Sequence, residues 1–334
     1  MKSRTRRPKI AFLFPGSGSQ YLGMGRNFDA DIPEVRDFFD SLARELGYDL
    51  RGVMFDGPEE DLFPTAATLA KIGTVSLFME TTSALSLAVA RVFEKRGVVP
   101  DALAGRSMGE YTALMAAGCV DRATGFRLLR DLGEHARKER PRVGCVSTVF
   151  GLEKTQAEKI CRVEARKRGP CEVICGYRAR RMVVVGGTRT AVAEFEKQAR
   201  AAGATKFIHS RQEWVAHTSL NSGLARYMAG EMKTLRLRRP CAPIWCNYDA
   251  RPAVTERVLR RRLAAQLDHP VFWEETIAGL VATGTKFFVE LAPGRMLTDF
   301  LVPLPDGVEV LPTDTPQRLR AALERLKAAG LTSS

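Results

Sequence analysis

An α/β layer fold with a smaller β-rich domain inserted into it is what this sequence of 334 residues predicts. Three observations carry the prediction. Residues 9–142 alternate short apolar runs with helical stretches, the pattern of a layered α/β domain. The run Ala104-Gly105-Arg106-Ser107-Met108-Gly109-Glu110 places a Gly-x-Ser-x-Gly turn where an apolar strand stops and a helix begins. From residue 143 the order becomes strand, helix, strand, strand, helix, strand, the βαββαβ order of a ferredoxin-like unit.

Taken in order, Ile10 to Phe14 is an apolar strand that runs into the Gly-rich loop Pro15-Gly16-Ser17-Gly18-Ser19-Gln20. A long helical pattern covers about Ala66 to Arg96. Val98 to Leu103 leads through a short loop into a buried strand, and Tyr111 to Ala117 is a helix of small residues. Val143 to Phe150 is a strand, Lys154 to Arg168 a charged helix, and Glu172 to Tyr177 and Met182 to Val185 are strands. Arg189 to Ala202 is an amphipathic helix and Lys206 to Ser210 a closing strand. After Glu213 the chain returns to the larger unit, with strands at Ile244 to Asn247 and Lys286 to Leu291 and a terminal helix at Pro316 to Ala329. The predicted division is a large domain of residues 1–142 and 211–334 and a small domain of 143–210. There is no internal repeat.

Composition narrows the function classes. A hydrophobic content of 45% supports a sizeable core, and no apolar run approaches the length that spans a bilayer. The N-terminus, Met1 to Lys9, is basic but lacks the apolar segment of a secretory signal. The seven cysteines are scattered without a CxxC pair, so reduced thiols in a cytoplasmic protein are expected, with neither zinc nor disulfides. A net charge of +13 invites a nucleic-acid reading. The basic residues are, however, dispersed among acids without aromatic interleaving, which suits an acidic protein partner better. An Arg-rich surface with no partner at all is the plain alternative.

A serine is a poor nucleophile in water, and a strained strand-to-helix turn is one way to present it to a base and to backbone donors. By itself Gly-x-Ser-x-Gly arises by chance in roughly one chain in ten of this length. Its context adds weight: the Gly-rich loop after the first strand offers amides near the carboxyl end of the sheet, where ligands of open α/β sheets lie.

The loop PGSGSQ, the elbow AGRSMGEYTALMAAG, the segment Val215-Ala216-His217-Thr218-Ser219, the HPVFW segment at His269 to Trp273 and Glu290-Leu291-Ala292-Pro293-Gly294 together resemble, in order and spacing, the malonyl-CoA:acyl carrier protein transacylases and polyketide synthase acyltransferase domains. The resemblance covers about residue 9 to about 314. It implies an α/β-hydrolase-like large domain with an inserted ferredoxin-like small domain. It also implies a two-step transfer in which Ser107 is acylated and a carrier protein's phosphopantetheine thiol collects the acyl group. Of the four histidines, the resemblance picks His217 as the base. It implies the N–H groups of Met108 and Ser17 as oxyanion donors, worth roughly 3–4 kcal/mol each, and the main-chain carbonyl of Phe272 as the group that orients the imidazole. The family usually has Gln where Ser17 stands, which leaves a backbone role intact. No cofactor is expected to be bound; phosphopantetheine of an acyl carrier protein or of CoA is substrate. The implied partners are acidic acyl carrier proteins, with acyl-CoA a further possible donor, and neither nucleic acid nor membrane.

Departures from the family pattern bear on the acyl group. Members that take malonyl units place an arginine where Leu132 stands, and Arg127 and Arg130 lie at other angles of the same helix. A carboxylate buried against Leu132 would be unpaired, so malonyl selectivity is expected to be lost. The family's Gln-Pro-Ala segment has no counterpart near Lys71-Ile72-Gly73-Thr74. Ala216, behind Trp214, replaces a larger residue and enlarges the predicted pocket. Arg106 replaces a histidine before the nucleophile, and two assignments stay open: a carboxylate or phosphopantetheine contact, or an ion pair behind the site. An acyltransferase of polyketide or related biosynthesis is expected. An editing acyl-thioester hydrolase on the same scaffold is the alternative, and an idle carrier-docking homologue a weaker one, since docking needs neither Ser107 nor His217.

Overall fold

The computed structural model describes residues 7–63, 76–138, 144–210, 215–301 and 304–332. Two sheets organise it. The larger contains β1 (Lys9–Phe14), β2 (Ala102–Gly105), β7 (Ile244–Cys246), β8 (Arg251–Ala253), β9 (Thr285–Glu290) and β10 (Glu309–Pro312), in the order β10-β9-β1-β2-β7-β8. All pairs are parallel except β7 with β8. A mostly parallel sheet is buried on both faces, and β1 accordingly reads as a continuous apolar run, KIAFLF, buried from Ile10 onward.

Helices cover this sheet: α1 (Pro33–Leu46), α2 (Leu77–Lys95), α3 (Gly109–Ala116), α4 (Arg122–Lys138), α7 (Ser222–Thr234), α8 (Glu256–Ala265), α9 (Trp273–Ala282) and α10 (Pro316–Ala328). The pattern expected to be one helix from Ala66 is helical from Leu77; residues 64–75 lie outside those described. In its middle α2 is apolar or small on every side, TTSALSLAVA from Thr81 to Ala90, because it runs through the core rather than over it.

The smaller sheet, between Gly144 and His209, contains β3 (Gly144–Phe150), β4 (Cys171–Tyr177), β5 (Met182–Thr188) and β6 (Lys206–His209), all antiparallel, in the order β4-β5-β3-β6. With α5 (Lys154–Arg168) and α6 (Arg189–Ala201) it forms the ferredoxin-like unit. One face packs Val149, Val173, Val183 and Val185 with Ala157, Cys161 and Phe195 of the two helices. The other brings Ile174, Cys175, Tyr177 and Met182 into a cluster with Trp245, Val271 and Trp273 of the large domain. Strand alternation thus gives each domain one half of the same sheet.

What places the site is the register between β1 and β2. Phe14 pairs with Gly105, so the two strands end level and their following loops lie side by side. The fit is close. A Cβ on Gly109 would stand 2.2 Å from the Phe14 carbonyl oxygen, one on Gly105 2.0 Å from the Gly109 carbonyl, and one on Gly16 2.3 Å from the Arg106 carbonyl oxygen. Gly109→Ala therefore forces backbone apart and is expected to cost about 3 kcal/mol or more. Gly230→Ala, on α7 with nothing within 4 Å, should be neutral or stabilising by about 0.5–1 kcal/mol. Thermal unfolding of both variants checks the contrast, which fails if Gly109→Ala melts with the wild type.

Candidate active site

Ser107 occupies the turn between β2 and α3 with φ of 56°, a left-handed conformation that costs a non-glycine residue of order 1–3 kcal/mol unless its surroundings hold it. Three backbone features do so: the glycines on either side have no room for a Cβ, the Arg106 N–H donates to the Phe14 carbonyl at 3.0 Å, and the Ser107 N–H donates to Asn247 Oδ1 at 2.6 Å.

His217 meets this serine from the other side, its Nε2 2.6 Å from Ser107 Oγ. It too has a positive φ, 63°. Its N–H donates to the Leu267 carbonyl at 2.8 Å, and two residues upstream Val215 fills the space left by Gly144 and Gly186, where a Cβ would come within 2.3 and 2.5 Å of its methyl groups. The residue carrying the imidazole is thus pinned between the small-domain sheet and the turn after α8.

The carbonyl that orients the ring belongs to Gln266, 2.8 Å from His217 Nδ1, and not to Phe272. Phe272 is consumed by the start of α9: its carbonyl accepts the Thr276 N–H at 3.0 Å and the Thr276 hydroxyl at 2.8 Å. Gln266 follows α8 directly, where the last carbonyls of a helix lack internal partners and are free to accept a side chain. With Nδ1 donating to this carbonyl, Nε2 carries the lone pair toward the serine. Burial pushes the imidazole pKa down to about 4, and the Arg106 cation adds to that shift. The ring is therefore neutral at physiological pH, as a proton acceptor must be.

The other histidines are engaged elsewhere. His209 pairs with Glu196 at 2.7 Å, His269 with Asp268 at 2.7 Å, and His135 stacks on Tyr227 with ring centroids 3.7 Å apart.

The amides of Met108 and Ser17 donate to no protein acceptor among the described residues. Met108 is the next residue after the nucleophile, and Gly16 places the loop of Ser17 against the elbow, its hypothetical Cβ 3.4 Å from Ser107 Cβ. Gly294 backs the same loop at Ser19.

Arg106 is half-buried, and its Nε donates to Tyr177 Oη at 2.9 Å while Nη2 reaches Cys175 Sγ at 3.4 Å. Both partners are on β4, so this side chain ties the elbow to the small domain. No carboxylate pairs with it among the described residues, so the ion pair considered above is absent there. Leu132 is buried in the main core, 3% exposed. On the same helix Arg130 is committed to Glu80 at 3.7 Å and to the Tyr48 ring. Ala216 is half-buried beside His217; Trp214 and Lys71 to Thr74 lie outside the described residues.

Asn247 and Glu110 were missed by the sequence reading. In the sequence Asn247 is only the end of a strand, and Glu110 only the last residue of the motif stretch. Burial pushes the Glu110 carboxyl up to about 8, and its Oε1 accepts the Asn247 N–H at 2.9 Å.

A serine on a left-handed elbow, touching a neutral buried histidine and flanked by unengaged amides, defines an enzyme of the acyl-transfer class. The chain belongs to the acyl transferase domain family, whose model matches residues 11–303. It is 29% identical over 318 residues to the malonyl CoA-acyl carrier protein transacylase of Escherichia coli strain K12, covering 95% of this chain and 99% of that one. It is 30% identical over 292 residues to the polyketide biosynthesis protein ThaF of Burkholderia thailandensis, covering 87% of this chain and 24% of the larger protein. Among solved structures, a malonyl-transacylase in complex with its type II PKS acyl-carrier protein superposes with a TM-score of 0.87 at 28% identity, over 95% of this chain and 99% of that chain. The malonyl CoA-acyl carrier protein transacylase of Coxiella burnetii superposes with a TM-score of 0.87 at 27% identity, over 97% and 99%.

The Glu110 carboxyl titrates near 4.5 when exposed and near 8 when folded, so stability is full below about pH 4.5 and is lost as pH rises toward 8. Glu110→Gln removes that loss. Urea unfolding at pH 4.5, 6 and 8 should show the variant gaining on the wild type as pH rises; a pH-independent difference would contradict this.

Proposed function

We propose that the protein transfers an acyl group from a thioester to the phosphopantetheine thiol of an acyl carrier protein by way of an acyl-Ser107 intermediate. The observation that carries the reading is the 2.6 Å contact between Ser107 Oγ and His217 Nε2, with Nδ1 anchored on a carbonyl. As Ser107 Oγ attacks the thioester carbon, His217 takes the hydroxyl proton and the oxyanion forms toward the N–H groups of Met108 and Ser17. Collapse of the tetrahedral species breaks the carbon–sulfur bond, and His217 returns the proton to the departing thiolate. The carrier's thiol then repeats the sequence in reverse. The donor is an acyl-CoA or an acyl-carrier protein. The reading draws further support from relatives whose names carry malonyl CoA and acyl carrier protein. The net charge of +13 suits an acidic carrier, steering it toward the cleft, and a site in the cytoplasm where such carriers work.

The acyl group is proposed to be other than malonyl. Position 132 offers Leu132 rather than a cation for a terminal carboxylate. Arg106 keeps donors beyond those given to Tyr177 and Cys175, and is the cation nearest the nucleophile in sequence. It is assigned to acceptors on the pantetheine arm or the acyl chain.

Incubation with a panel of acyl-CoAs and acyl-carrier proteins, read by intact mass, tests both levels. Mass gain on the wild type and none on Ser107→Ala is expected, with malonyl-CoA loading poorly and the adduct surviving for minutes until carrier is added. Rapid loss of the adduct without carrier would favour hydrolysis over transfer. Efficient malonyl loading by the wild type would overturn the acyl assignment, and its loss in Arg106→Gln would make Arg106 the carboxylate site.

The low pKa of His217 fixes the acid limb. The rate of acylation should hold steady from pH 7 to about 5 and fall only as pH approaches 4. A decline centred near 6.5 would show a solvated imidazole instead.

A further inference from the structure

We propose that Asn247 is a positioning residue for acyl transfer: its side-chain amide takes the place of a strand where the chain turns away at Ser107, and so fixes the nucleophile while leaving the following amide for the oxyanion. The proposal rests on the acyl-serine reading above.

β2 and β7 pair in parallel through Leu103 with Ile244 and Ala104 with Trp245. Continued upward, that register brings Asn247 opposite the elbow, where the left-handed Ser107 takes the backbone out of the ladder. The ladder is completed by a side chain. Asn247 Oδ1 accepts the Ser107 N–H at 2.6 Å, and Nδ2 donates to the Gly105 carbonyl at 2.5 Å, with the residue wholly buried. An amide supplies one acceptor and one donor in a plane, as a peptide group does.

The consequence for the oxyanion follows from which amide is taken. Ser107 and Met108 present consecutive N–H groups at the turn. Asn247 occupies the first, so the second is the one left unengaged.

Asn247 also reaches the histidine's support. Its carbonyl accepts the Phe272 N–H at 3.0 Å, on the segment that begins with Gln266 and Leu267, whose carbonyls hold His217 Nδ1 and the His217 N–H. One residue therefore has hydrogen bonds into the elbow of the serine and into the stretch that aims the imidazole. A displacement of about 1 Å at either end costs catalysis far more than stability.

An aspartate of the same shape separates this role from plain packing. Ionised, it keeps the acceptor for Ser107 and loses the donor to Gly105. Its charge would also stand near Glu110, which accepts the Asn247 N–H and whose own neighbours are the Cys246 thiol, Asp249 and Arg262, the last paired to Asp249 at 2.7 Å. On the elbow side it would stand near His217 and Arg106, which flank Ser107. Protonated, it offers a carbonyl and an O–H and restores both bonds.

The test uses a serine-directed fluorophosphonate, which reports the activated hydroxyl whatever the natural acyl group is. Labelling of the wild type, absent in Ser107→Ala, is expected to vary little between pH 5.5 and 8. Asn247→Asp should label roughly 10-fold or more slowly at pH 8 and recover toward the wild-type rate at pH 5.5, and Asn247→Ala should be slow throughout. Asn247→Ser, which keeps one small donor–acceptor group, should fall between wild type and Ala, and it decides the matter if the aspartate variant does not fold. Wild-type rates and pH dependence in Asn247→Asp, or wild-type rates in Asn247→Ser and Asn247→Ala, would overturn the proposal. A wild type that is not labelled at Ser107 would overturn the acyl-serine reading itself, and this one with it.

Discussion

The left-handed turn at Ser107 is the constraint from which the rest of the site follows. An L-residue at φ of 56° is unfavourable in isolation, so the conformation persists because everything around it leaves no alternative. Gly105, Gly109 and Gly16 let three backbone segments approach until a single methyl group would collide with a carbonyl. The level ends of β1 and β2 make that approach possible, and Asn247 ties off the amide that the turn exposes. The strain is held by sheet geometry rather than by any one strong bond.

His217 is the counterpart on the opposite wall, with its own positive φ and its own anchors. Its support comes from two sources, the turn after α8 and the glycines of the small-domain sheet that receive Val215. Both members of the dyad therefore belong to the large domain, with Val215 backing the histidine at the junction with the small one. Arg106 crosses the same junction toward Tyr177 and Cys175. A shift of one domain against the other would release the guanidinium and loosen the packing behind Val215, while the hydrogen bonds of the dyad stay within the large domain.

Electrostatically the site is built from groups without ion-pair partners among the described residues. The imidazole is buried and neutral, the carboxyl of Glu110 is held up to about 8 by burial, and the guanidinium beside the nucleophile has no carboxylate among the described residues. The Arg106 guanidinium is held instead by the Tyr177 hydroxyl and the Cys175 thiol. Leu132, by contrast, contributes to the core in the ordinary way.

Much of this was legible in the linear chain. The elbow, the Gly-rich loop and the βαββαβ order rest on local patterns: a turn that needs glycine, a strand that needs an apolar run, helices with a repeating apolar face; His217 came from the resemblance of its segment to a family's. Phe272 as the orienting carbonyl failed because any residue has a carbonyl, and which one faces the ring depends on where α8 stops and α9 starts. Asn247 was illegible for a similar reason, since it lies well over a hundred residues from the serine it holds and its meaning comes from the parallel register of β2 with β7. The sequence by itself determined the elements and the elbow, because short-range sterics and periodicity write those directly, and its resemblance to a family singled out the base. Tertiary structure alone decided which distant backbone groups and amides complete the site, because hydrogen bonds between strands brought together by folding leave no mark in the spacing of residues.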